Sequence, residues 1–127
     1  MNIAILDDSK EDLKQIRSVI SSYYKSQNTD ADIHLYSSAE SFFQKYSPGI
    51  YDLIIMDIMM PVMGGLEAAH VIRTMEREDS NKVPIVAISA NAFDEDIHRS
   101  LASGMNAHLS KPVEIDKLRE TLGRLLK

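Results

Sequence analysis

The sequence predicts an α/β fold in which helices cover both faces of a five-stranded parallel sheet, and three observations carry that expectation. Short apolar runs at 3–6, 53–56 and 83–88 are continuously rather than alternately hydrophobic, as in strands buried on both faces. Stretches with apolar residues at helical spacing lie between the runs. Each run closes on a polar side chain, Asp7, Asp57 and Ser89 in turn. In an open α/β sheet that end of a strand faces the crevice where ligands bind.

Taken in order, residues 3–6 form the first strand, ending at Asp7 and Asp8. Ser9, with Asp12 three residues on, resembles a capping box that opens a helix. Leu13, Ile16, Ile20, Tyr23 and Tyr24 give that helix a buried stripe, with Lys10, Glu11, Lys14 and Arg17 outside. Residues 33–36 are a second strand of mixed polarity, expected nearer a sheet edge. Ser37 with Glu40 suggests a second capping box, and the short helix carrying Phe42, Phe43 and Tyr46 ends at Ser47-Pro48-Gly49. Residues 53–57 are the third strand. Past the loop at 60–65, a helix with Leu66, Ala69, Ile72 and Met75 on one face ends near a polar cluster at 77–82. The fourth strand, 83–88, tolerates Pro84 only at its start. A modest helix at 94–103 carries Ile97 and Leu101 and stops at Gly104. Residues 108–110 are a short fifth strand closed by Lys111-Pro112, and the last helix opens near Glu114 to bury Ile115, Leu118, Leu122 and Leu125. Five such units favour the doubly wound, flavodoxin-like order 2-1-3-4-5, which brings Asp7 and Asp8 beside Asp57 at the switch point between strands 1 and 3.

With 127 residues, 44% hydrophobic and 26% charged, the chain reads as one globular domain over 1–127. A net charge of −5 sets it against phosphate backbones, so direct nucleic-acid binding is not expected. The absence of cysteine removes disulfides and thiolate metal sites and suits the cytoplasm. No apolar run reaches membrane-spanning length, and Asp7 and Asp8 come too early for a signal peptide.

Three carboxylates at one switch point raise one another's pKa, and a hard divalent cation with oxygen ligands relieves them; Mg²⁺ suits a site with few carboxylates and room for water. Aspartates at strand ends also turn chains and cap helices, and position alone leaves both readings open. Ser89 and Lys111 close the fourth and fifth strands, so a hydroxyl donor and an ammonium reach the same edge. A phosphorylated carboxylate needs that combination: a nucleophile, a metal, and donors for phosphoryl oxygens.

Four segments then carry a resemblance that covers the whole chain: Ile5-Leu6-Asp7-Asp8-Ser9, Asp52-Leu53-Ile54-Ile55-Met56-Asp57-Ile58-Met59-Met60-Pro61, Ile88-Ser89-Ala90 and Leu109-Ser110-Lys111-Pro112. In order and at this spacing they resemble the response-regulator receiver domain, the CheY-like family of two-component signalling. The resemblance implies that Asp57 accepts a phosphoryl group from a histidine-kinase phosphohistidine. It implies Mg²⁺ held by Asp8, Asp57 and the Met59 backbone carbonyl, with Asp7 helping through water. It also implies Ser89 and Lys111 at the phosphoryl oxygens, a cis bond before Pro112, and a switched surface on the fourth helix, fifth strand and fifth helix. The partners implied are a histidine kinase or phosphotransfer protein, an output domain or target outside these residues, and a phosphorylation-dependent dimer.

Two departures stand out. His108 takes the switch position where the family generally has Tyr or Phe, so the ring there is polar and titratable. Gly64-Gly65 replaces the common Asp-Gly, which is expected to loosen the loop. The segments at 88–96 and 104–112 look most like receivers attached to hybrid histidine kinases, whereas the amino-terminal third looks like free-standing regulators. A haloacid-dehalogenase-like phosphatase would need a general acid two residues after Asp57, where Met59 stands. A nucleotide-binding module would need a glycine-rich turn in place of Asp7-Asp8-Ser9. A pseudo-receiver that no longer uses phosphate does not explain the full acid, hydroxyl and lysine set.

Overall fold

A computed structural model of the chain describes residues 1–76, 82–90 and 93–126. Its sheet contains β1 (Asn2–Leu6), β2 (Asp32–Tyr36), β3 (Leu53–Asp57), β4 (Ile85–Ser89) and β5 (Ala107–Ser110). All neighbouring pairs are parallel, in the order β2-β1-β3-β4-β5, as the alternation of units predicts. Helices α1 (Lys10–Ser26), α2 (Ala39–Phe43), α3 (Gly65–Met75) and α4 (Asp94–Ala102) supply the crossovers, and α5 (Ile115–Leu125) follows β5.

The three central strands are buried on both faces, and their alternating side chains feed two separate cores. Ile3, Ile5, Leu53 and Ile55 pack with α1 and α5; Ala4, Leu6, Ile54 and Met56 pack with α2 and α3. Continuous hydrophobicity in the sequence is the record of this double burial. β2 lies at one edge and is largely exposed, consistent with its mixed polarity. Pro84 sits just before β4, where its carbonyl still accepts from Ile54 N–H at 3.0 Å.

The stripe expected on α1 is buried in full. Other expectations need correction. The cap of α2 is Ser38, whose Oγ accepts from Ser41 N–H, rather than Ser37. On α3 the buried residues are Ala68, Ala69 and Ile72, while Met75 is exposed and Leu66 half-buried. The small Ala pair lets α3 lie close to the sheet, so the longer side chains flank the contact. On α4 the buried residue is Ser100, and Leu101 is 50% exposed. α4 covers the short strand at the sheet's edge, which leaves little apolar surface to meet it. On α5, Leu118 and Leu122 are buried with Thr121, and Ile115 and Leu125 only partly. Gly104 follows α4 with φ +98, a left-handed turn that favours glycine. The polar cluster expected at the end of α3 lies, apart from Lys82, outside the described residues. Among the described residues, no helix is long and apolar enough to cross a membrane.

Candidate functional site: an acidic cleft closed by a shared lysine

Pairing β1 with β3 places Leu6 opposite Met56, so the next residues, Asp7 and Asp57, emerge side by side. Asp7 is fully buried, Asp57 is 4% exposed and Asp8 is exposed. Each of these three acids offers a carboxylate oxygen, and the oxygens lie within 4.8 Å of one another. Asp57 Oδ1 accepts from Met59 N–H at 2.9 Å, and Asp57 Oδ2 accepts from Lys111 Nζ at 3.0 Å. Asp7 Oδ1 accepts from Ser9 N–H at 2.9 Å.

Lys111 arrives from the far end of the sheet. Its backbone N–H donates to the Ser89 carbonyl at 2.8 Å, and the Lys111–Pro112 peptide bond is cis. The ammonium meets three carboxylates: Asp7 at 2.8 Å, Asp12 at 2.8 Å and Asp57 at 3.0 Å. Burial works to lower the Lys111 pKa, but the carboxylates of Asp12, Asp7 and Asp57 around the ammonium outweigh it and hold the pKa well above 10.5. For Asp7 burial wins: despite Lys111 and the Ser9 N–H, its pKa is raised from 3.8, with the Asp57 charge pushing the same way.

Asp7 Oδ2 is close to Lys111 Nζ but off the direction a hydrogen bond requires, and it has no hydrogen-bond partner among the described residues. A buried carboxylate oxygen short of donors, in a group of three acids holding one shared lysine, is a donor set suited to a hard divalent cation. The residues present therefore fit Mg²⁺.

Ser89 is buried at the end of β4, beside Asp57 on the next strand, whose register partner is Ile88. Its Oγ lies 2.8 Å from His108 Nε2. His108 is half-buried, and burial lowers its pKa below 6.5 against the opposing charge of Asp96. Gly65, opening α3, faces β3 closely: a Cβ built on it would stand 2.4 Å from the Asp57 carbonyl oxygen. Close backbone approach, more than looseness, is what this glycine supplies. At Gly64 a Cβ would be 3.0 Å from the Ile58 carbonyl oxygen.

All of Asp7, Asp8, Asp57 and Lys111 thus converge, with Ser89 and His108 adjoining. Asp12 belongs to the site although its spacing from Ser9 is that of a capping box. Ser9 Oγ does accept from Asp12 N–H, at 3.3 Å. The Asp12 carboxylate, however, turns to Lys111, and Asp7 takes the Ser9 N–H that a capping box would have used. An acid in the first turn after the acid pair was the available signal. Ser100, bonded to His108 from α4, carried no signal at all.

Comparison with known proteins matches residues 3–123 to the response regulator receiver domain family. Hybrid signal transduction histidine kinase G of Dictyostelium discoideum is 47% identical over 74 residues, which are 58% of this chain and 2% of that protein. Peroxide stress-activated histidine kinase mak1 of Schizosaccharomyces pombe is 40% identical over 85 residues, 66% of this chain and 5% of that protein. The chain therefore spans a small fraction of these relatives. Among solved structures, the receiver domain of sensor histidine kinase PA1611 from Pseudomonas aeruginosa PAO1, with a magnesium ion coordinated in its active site cleft, superposes with a TM-score of 0.77 at 28% identity, covering 97% of this chain and 94% of that one. A chain from the complex of the Saccharomyces cerevisiae histidine phosphotransfer signaling protein Ypd1 with the receiver domain of Ssk1 gives 0.75 at 27% identity, covering 96% and 86%.

Proposed function

Because this chain belongs to the response regulator receiver domain family of two-component signalling, we propose that residues 1–127 act as one receiver unit that takes a phosphoryl group onto Asp57 from a phosphohistidine. The observation that carries the proposal is the setting of the Asp57 carboxylate: 4% exposed, one oxygen on Met59 N–H and the other on Lys111 Nζ, with Asp7 and Asp8 alongside. A histidine kinase or phosphotransfer protein would donate, as the kinase relatives and the complex with a phosphotransfer protein suggest.

In the transfer, an Asp57 carboxylate oxygen forms the new O–P bond while the N–P bond of the donor breaks and the departing imidazole keeps the electron pair. Lys111, already 3.0 Å from that carboxylate, would turn its positive charge to the phosphoryl oxygens. Ser89 Oγ would donate to another. Asp8, Asp57 and the Met59 carbonyl would hold Mg²⁺, with Asp7 reached through water; when bound, the ion neutralises charge gathering on the phosphoryl group. Met59 has no proton to give and is 74% exposed, so hydrolysis would be slow and the chain would act as a switch more than a phosphatase. A cysteine-free chain acting on phosphohistidine fits the cytoplasm.

Charge arriving at Asp57 would bias a two-state equilibrium of the surface formed by α4, β5 and α5. Phe93 and Leu101, 66% and 50% exposed, give the α4 part of that surface apolar area for a partner, an output domain or a second copy. The test is intact-mass measurement after incubation with acetyl phosphate and Mg²⁺. Wild type should gain one phosphoryl mass and Asp57→Asn should not; no gain by wild type, or equal gain by the variant, refutes the assignment.

A further inference from the structure

Ser100 is a fully buried hydroxyl on α4. Its Oγ lies 2.9 Å from the Asp96 carbonyl oxygen and 3.1 Å from His108 Nδ1. On the opposite side of the same imidazole, Nε2 lies 2.8 Å from Ser89 Oγ. The proton assignment follows from donor and acceptor rules. A carbonyl only accepts, so with the Ser100 proton directed at Asp96, Ser100 Oγ accepts from His108. Nδ1 therefore carries the ring proton. In a neutral imidazole Nε2 is then an acceptor, and it takes the Ser89 hydroxyl proton. The chain runs Ser89 O–H to Nε2, Nδ1–H to Ser100, and Ser100 O–H to Asp96.

We propose that Ser100 is a positioning residue that fixes the His108 tautomer, and that phosphoryl acceptance at Asp57 is thereby coupled to uptake of one proton by His108. The proposal rests on the reading of Asp57 as phosphoacceptor. Ser89 has a single hydroxyl proton, and a phosphoryl oxygen would compete with His108 Nε2 for it. The charged oxygen is the stronger acceptor, since a charge-assisted bond is about twice as strong as a neutral one. Once the proton turns to the phosphoryl group, Nε2 is a half-buried acceptor facing an oxygen lone pair. A proton from solvent repairs this. The imidazolium then donates from Nε2 to Ser89 Oγ and from Nδ1 to Ser100 Oγ, and all the other bonds persist.

The charges around His108 favour that uptake. Asp96 on α4 is the acid whose field acts on it, and burial is what keeps the resting ring neutral. Glu95 and Arg99 on the same helix pair with each other at the surface. From β4 the facing group is the uncharged Ser89, and past it stand Asp57 on β3 and Lys111 after β5. A phosphoryl group at Asp57 adds negative charge on that side. Without Ser100, the neutral ring is free to place its proton on Nε2 and donate to Ser89 with no uptake.

The experiment is beryllofluoride binding with Mg²⁺, the probe standing for the phosphoryl group, followed by NMR of histidine ring nitrogens in the full chain. Resting wild type should show the Nδ1–H tautomer at His108, and saturation near neutral pH should convert it to the imidazolium. Affinity should fall as pH rises through neutrality, by up to about tenfold per pH unit. His108→Phe should lose this dependence and so provides the baseline for the probe's own pH behaviour. Ser100→Ala should flatten the profile and bind more tightly than wild type at alkaline pH. Binding to wild type with His108 still neutral, or with the slope of His108→Phe, overturns the inference while leaving Asp57 as phosphoacceptor intact. No binding to wild type overturns both. The wild-type ring spectrum decides the matter even if Ser100→Ala does not fold.

Discussion

Lys111 Nζ and Asp12 Oδ2 lie 2.8 Å apart, so the lysine that closes β5 is anchored to the first turn of α1 as well as to the strand-end acids. Asp12 is partly exposed, and its share of the lysine is weaker than its distance suggests. Replacing Asp12 by Asn should cost less than about 1 kcal/mol in thermal unfolding. It should also free Lys111 for the phosphoryl group and remove one repelling charge. The expected outcome is a larger steady phosphorylated fraction with acetyl phosphate, read by intact mass; a smaller fraction would show that Asp12 aids the lysine.

Asp7 carries the site's electrostatic cost. Its folded pKa is raised above the ordinary 3.8, so the folded state binds its proton more readily than the unfolded state between those values. The ionised group therefore destabilises the metal-free fold at higher pH, and that penalty vanishes below about 3.8. Asp7→Asn should raise metal-free stability near neutral pH by on the order of 1 kcal/mol, about 3–6 °C. The gain should shrink to nothing as pH falls through the raised value. Mg²⁺ should stabilise wild type more than the variant. Paired melting curves across pH, with and without Mg²⁺, test all three.

Gly65 is required by contact. A methyl group there meets the Asp57 carbonyl oxygen at 2.4 Å and the Ile58 Cα at 2.8 Å, both backbone atoms that cannot swing aside. Gly65→Ala should cost about 1–3 kcal/mol and slow acetyl phosphate labelling by shifting the end of β3. Gly64→Ala, whose Cβ meets one backbone oxygen at 3.0 Å, should be milder. Denaturant unfolding of the two variants ranks them; equal losses would contradict the geometry.

Arg73 stabilises the opposite end of the sheet. Its guanidinium donates to the Gly104 carbonyl at 2.8 Å, Glu76 Oε1 at 2.8 Å and Asn106 Oδ1 at 2.9 Å. Glu76 and Asn106 in turn accept from Val83 N–H and Ile85 N–H, each at 2.9 Å. Arg73→Leu leaves Glu76, a 4% exposed carboxylate, without its cation. A loss of about 2–4 kcal/mol is expected, with acetyl phosphate labelling of the folded fraction unchanged. Impaired labelling at full folding would place Arg73 in the site's machinery.

The sequence by itself determined the sheet, its parallel order and most of the site. Runs such as Leu53-Ile54-Ile55-Met56 are legible because burial on both faces leaves no room for alternation, and Asp7, Asp57 and Ser89 stand out because each ends such a run, with Lys111 closing the short fifth strand. What only the tertiary structure decided is which partner a side chain takes when several are in reach. Asp12 looked committed to its own helix start, yet its carboxylate goes to a lysine 99 residues away. Ser100 stands between Ile97 and Leu101, the apolar pair that marks the helix in the sequence, yet it is Ser100 that is buried against His108 while Leu101 is exposed. Helical periodicity registers a large apolar face, and α4, laid over a four-residue strand at the sheet's edge, has only a small one. Hydrogen bonds between distant elements leave no periodic trace, and so the coupling of Ser89, His108 and Ser100 appears only once the chain is folded.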